Sequence, residues 1–196
     1  MGREKTAAVK DVPAAVAADP LWRAIESYRF DDDGDEVTFA ARLARENGWP
    51  PAYADAAMHE YRRFCYLAMT TDHMVVPSGE VDQVWHLHLL YSKRYWDGFC
   101  AAVLGRPFHH VPARGGLAEA DRHRRLYGQT LRRYNEVFGA PAPTALWPAT
   151  AERFSHPNAW RRVNTANYVV IPRLDRRNRF LLLVCIAGLA IAIATL

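Results

Sequence analysis

Apolar residues along this chain recur at three- and four-residue intervals, the spacing of one face of an α-helix. The first such face, Leu21, Ile25 and Tyr28, follows Asp19-Pro20-Leu21-Trp22, where the aspartate can accept from free N–H groups and proline at the first helical position loses no needed donor. A second, Phe39, Ala40, Leu43 and Ala44, predicts a helix capped by Asp35 or a near neighbour and stopped by Gly48 and Pro50-Pro51. A third helix runs from about Pro51 to Met69, with Tyr53, Ala57, Tyr61, Phe64, Cys65 and Ala68 as its stripe. Pro77-Ser78-Gly79 then opens a long helix, predicted to continue unbroken to Leu104 and to end at Gly105-Arg106-Pro107. A fifth, from about Leu117 to Phe138, carries Ala120, Tyr127, Leu131, Tyr134 and Phe138. Only residues 168–171 suggest a strand, so the pattern predicts an all-α fold: an irregular multi-helix bundle with one C-terminal transmembrane helix.

The ends of the chain break the amphipathic rhythm. Residues 1–18 have no continuous apolar run of the kind a secretory signal needs, and read as a flexible arm ahead of a helical domain spanning 19–172. After Gly139 the chain is rich in proline and large rings (Pro141, Pro143, Trp147, Pro148, Phe154, Trp160, Tyr168), which predicts an irregular segment wrapped over the bundle. Residues 180–196 contain no charge and no proline and are apolar all round, unlike a helix with one face in water. At 1.5 Å per residue they cover about 25 Å, the short end of a membrane span. Residues 173–179 place Arg173, Arg176, Arg177 and Arg179 directly before it, which by the positive-inside bias predicts a cytoplasmic domain and a tail-anchor topology. Membrane lipid is thus the expected partner, and the shortness of the span predicts a membrane-protein partner as well.

Composition narrows the chemistry further. A chain of 196 residues, half of them hydrophobic, makes one core. The net charge of +4 is modest and sits in short arginine clusters that could meet nucleic acid or anionic lipid; the last of them abuts the apolar run, which favours lipid headgroups, and nucleic acid is not an expected partner. Cys65, Cys100 and Cys185 show no zinc-knuckle spacing, and neither a nucleophile elbow nor a phosphate-binding glycine loop occurs. Asp31-Asp32-Asp33-Gly34-Asp35 lacks the later ligands of a calcium loop and reads as a solvated turn.

The unusual chemistry is central: Asp82-Gln83-Val84-Trp85-His86-Leu87-His88, then Tyr91, Tyr95-Trp96, Phe99-Cys100 and Phe108-His109-His110-Val111-Pro112. This run resembles the glycine-rich-domain-protein-like family of bacteria and plants, in which Asp-x-x-Trp-His is followed by Tyr, Phe-Cys and His-x-Pro. The resemblance covers about residues 22–172, without the glycine-rich part, and implies no particular activity. On one continuous helix Asp82, His86, Leu89, Trp96 and Cys100 share a face, and His88, Tyr95 and Phe99 share another. Asp82 and His86 are i, i+4 neighbours and could supply two ligands to a divalent metal such as zinc, or a carboxylate orienting an imidazole for proton transfer, or simply an ion pair. Trp85, His88 and His110 complete the candidate site. Cys100 would lie about 27 Å from Asp82 along one helix. His109 and His110, tethered after Leu104, are predicted to fall short of His86. His59, Glu60 and His73 are the freer sources of a third ligand.

Overall fold

The computed structural model describes residues 12–111 and 115–155, and these are helical, with no strand among them. The strand expected at 168–171, the flank Arg173, Arg176, Arg177 and Arg179, and the apolar run 180–196 lie outside the described residues. Among the described residues no helix is long and apolar enough to cross a membrane.

The chain begins with α1 (Ala14–Ala18) and α2 (Pro20–Ser27). Val16 is buried, so the described end of the expected arm is a packed element. Asp19 caps α2 by accepting from the Leu21 N–H at 2.8 Å, and Tyr66 donates to its other oxygen at 2.7 Å. The two bonds hold the carboxyl below its usual range, Tyr66 contributing more than the backbone. Helix α3 (Phe39–Asn47) is capped by Thr38, whose hydroxyl accepts from Ala41, and not by Asp35. Asp35 instead pairs with Arg94, which also holds Asp32, so the acidic turn is closed by a guanidinium.

Helix α4 (Pro51–Thr70) is the centre of the fold. Ala54, Ala56 and Ala57 let neighbouring backbones approach, while Tyr61, Phe64, Cys65 and Leu67 fill the space between α2, α3 and α5. Helix α5 (Gly79–Leu90) starts at Ser78, whose Oγ accepts from Val81 at 3.2 Å.

The predicted continuous helix to Leu104 is not formed. Helix α5 ends at Tyr91, where φ −84° and ψ 56° leave the helical region, and the chain resumes as a π-helix, Arg94–Leu104. Tyr95, Phe99, Cys100 and Leu104 are its buried positions, spaced by four or five as the wider turn allows. Gly105, at φ 69°, ends it in the left-handed conformation glycine adopts without strain. Gly98 does not break the helix; it packs against Tyr28.

Helix α6 (Leu117–Phe138) and the short α7 (Thr150–Arg153) close the described fold. Between them the proline-rich segment lies on the bundle, with Leu146 and Trp147 buried. Three polar bonds fasten it: Tyr53 to the Ala145 carbonyl at 2.7 Å, Tyr127 to the Pro148 carbonyl at 2.8 Å, and Trp147 Nε1 to Glu60 at 2.8 Å.

Candidate metal centre

The bend at Tyr91 changes what can meet. Two turns of α5 present Asp82 and His86 on one side, with the carboxylate in the first turn, where the helix dipole favours negative charge. The π-helix then runs its own course, and beyond Gly105 the chain doubles back. Arg106 secures the return by donating to the carbonyls of Ala68 and Met69, both at 3.2 Å. Phe108 stacks on Trp85, ring centroids 4.2 Å apart and planes 12° from parallel. Tyr95 donates to the Phe108 carbonyl and accepts from Trp85 Nε1 at 2.8 Å, so one hydroxyl joins helix, π-helix and returning strand of chain.

That clamp delivers His110 to Asp82. Its Nε2 lies 2.8 Å from Asp82 Oδ1, and its ring stands 4.5 Å from that of His86, edge-on to Trp85 at 4.5 Å. Asp82 Oδ2 is 3.8 Å from His86 Nδ1. The expectation that His110 could not reach His86 is therefore overturned, because it measured reach along a straight helix that does not exist. Asp82, His86 and His110 each offer one ligand atom, all within 4.8 Å of one another. Two ligands about 2.1 Å from a common tetrahedral ion stand about 3.4 Å apart, so closure of at most about 1.4 Å by the exposed His86 would bring the set into range.

The other expected residues are distributed differently. His88 is in the core, surrounded by Tyr28, Phe30, Tyr61 and Phe99, and takes no part in this cluster. Its Nε2 is 3.3 Å from the Tyr28 hydroxyl, which donates to the Arg94 carbonyl, and its Nδ1 is 3.1 Å from the Tyr61 hydroxyl. The pattern assigns the proton to Nε2, with Tyr61 donating to Nδ1. Burial pushes the His88 pKa down to about 3, so the ring is neutral. Glu60 is also unavailable as a ligand: it accepts from Arg63, Tyr134 and Trp147 inside the bundle. Burial raises its pKa against the opposing pull of Arg63. Cys65 and Cys100 are buried, and burial pushes both thiols up, which makes them poor ligands or nucleophiles.

The cluster opens into a cleft of about 360 Å³. Asp82, Trp85 and His110 line one part of it, and His73, His109 and His123 another, so four of the eight histidines in the chain border a single cavity. His73 thus sits near the centre without belonging to the ligand set. His59 lies on α4 and does not border the cleft.

Residues 23–136, more than half of the chain, match the UCP032817-like family. The Asp82–His86 run and the returning His110 both fall within the match. It replaces the glycine-rich-domain-protein-like resemblance, for which nothing else speaks. No curated protein matches the chain, and neither does any solved structure.

Proposed function

The chain belongs to the UCP032817-like family, and on that premise we propose that its helical domain binds a divalent cation, zinc foremost, through Asp82, His86 and His110. One observation carries this reading: three ligand atoms of the right kinds converge within 4.8 Å although one of them lies 28 residues from Asp82 in sequence. Two imidazoles and a carboxylate leave a coordination position for water or substrate, the arrangement of catalytic rather than structural zinc sites. Such an ion lowers the pKa of bound water to about 7 and so supplies hydroxide for hydrolysis near neutral pH. Trp85 backs His110, and the Asp82 carboxylate would exchange its hydrogen bond to His110 for the cation.

We further propose that residues 180–196 cross a membrane and that Arg173, Arg176, Arg177 and Arg179 hold the helical domain on the cytoplasmic side. The support is the absence of any charge in that run beside the cluster of arginines before it.

Elemental analysis of the full chain, purified in detergent without a histidine tag, tests the first reading. Wild type is expected to retain close to one equivalent of metal after dialysis, and His110→Ala and His86→Ala to lose most of it. Metal-free wild type that takes up none from micromolar zinc overturns the reading. In its place would stand an interaction module for a membrane partner, with Asp82 and His110 as an ordinary ion pair.

A further inference from the structure

The cleft beside the three ligands holds a cation that the metal reading leaves unused. Arg153, the last residue of α7, lines the cavity together with His109, His110 and His123. Its Nε is buried without a hydrogen-bond partner. Among the described residues no carboxylate pairs with its guanidinium, which rests on the Phe154 ring at 5.4 Å. An unmet buried donor costs about 1–3 kcal/mol, more when charged, so this guanidinium is under-satisfied where it borders the cleft. The imidazoles of His73, His109 and His123 add further ring nitrogens around the same space. A carboxylate offers only two oxygens to such a lining. A phosphate has one more, in a geometry suited to the planar fork of arginine. Met74 and Val111 border the cleft too and are 50% and 68% exposed, giving an apolar edge for the organic part of an ester.

We propose that this cleft binds an organic phosphate, with Arg153 donating to the phosphate oxygens and another of its oxygens turned toward the cation at Asp82, His86 and His110. The proposal rests on the metal reading for its second contact, while the Arg153 contact stands apart from it. A soluble phosphate ester and a phospholipid headgroup share this chemistry.

Calorimetric titration of the full chain in detergent, loaded with zinc, tests it with inorganic phosphate, phenyl phosphate and acetate as probes. Phenyl phosphate is expected to bind more tightly than phosphate, and acetate at least about tenfold more weakly, a difference of about 1.4 kcal/mol. Arg153→Met should weaken phosphate binding about tenfold or more with metal content and helical circular dichroism unchanged, and Arg153→Lys should restore part of it. Equal phosphate affinity in wild type and Arg153→Met, with metal retained in both, overturns the proposal and leaves the metal centre standing. If the chain takes up no metal, the same titration on the metal-free protein decides: Arg153-dependent phosphate binding upholds the oxyanion site alone, and its absence overturns that too. Competition between phenyl phosphate and phosphatidic-acid vesicles then identifies which source of phosphate the cleft prefers.

Discussion

His86 and His88 are two positions apart, yet one side chain is 45% exposed beside Asp82 and the other is sealed among rings. The buried one sets the pH response of the fold. His88 has its pKa lowered to about 3, whereas an unfolded histidine titrates near 6.5. The unfolded chain therefore binds the extra proton between these values, so this contribution to stability is complete above about pH 6.5 and declines as the pH falls toward 3, at about 1.4 kcal/mol per unit. Glu60, with its pKa raised, has the opposite slope above its ordinary value, so the histidine effect is read by difference. Urea denaturation of the metal-free chain from pH 7 to pH 4 should show a steeper loss for wild type than for His88→Gln; parallel profiles would exclude the assignment. Tyr61→Phe strips Nδ1 of its donor and is expected to cost about 1–3 kcal/mol at neutral pH in the same measurement. Nothing in the order of residues around His88 distinguishes it from a ligand, because what keeps it neutral is burial, in a pocket whose hydrogen-bond partners Tyr28 and Tyr61 are separated from it by 60 and 27 positions.

At the scale of elements, the π-helix Arg94–Leu104 is the feature on which the site turns. Helix starts were legible where chemistry is local: Asp19 and Ser78 cap as their sequence contexts predict. The interruption at Tyr91 was not, because Ser92 to Leu104 suits an α-helix equally well on local grounds and the wider turn is fixed by distant partners, Trp85 and the Phe108 carbonyl meeting at Tyr95. An apolar face projected at one constant angle through the bend put Trp96 and Cys100 on the same side, whereas Trp96 is 38% exposed and Cys100 buried. Two substitutions probe the element. Tyr95→Phe unfastens the clamp and should lower metal affinity about 10–100-fold with the ligands themselves unchanged, the size of effect expected when a supporting bond is removed; competition with a chromophoric chelator measures it. A Cβ on Gly98 would meet Tyr28 at 3.7 Å, an ordinary contact, so Gly98→Ala should be neutral or stabilise by up to about 1 kcal/mol in thermal melts.

Across the whole molecule, the described fold is fastened at Glu60, Arg63, Tyr134 and Trp147, which unite α4, α6 and the segment leading to α7. Glu60→Ala removes the carboxylate of a buried pair and is expected to destabilise by about 3–5 kcal/mol in denaturant titration. The helical class and the packed proline-rich segment were readable from the spacing of rings such as Tyr134 and from Leu146-Trp147, since burial of that much apolar area leaves few alternatives. The meeting of His110 with Asp82 was not, since it depends on a reversal of direction that no local pattern encodes. The membrane proposal belongs to this scale as well: residues 173–196 fused to a water-soluble reporter should sediment with membranes and resist carbonate extraction, and recovery in the supernatant would refute it. The reversal at Gly105 has one more consequence. An ion joining His86 to His110 would close a loop through the π-helix and act as a reversible staple on the folded chain, one that is released when the chain unfolds. Saturating cation at a hundred times its dissociation constant would add about 2.7 kcal/mol of stability, and limited trypsin cleavage at the exposed Lys93, within that loop, should slow accordingly when zinc is present and recover its speed with a chelator.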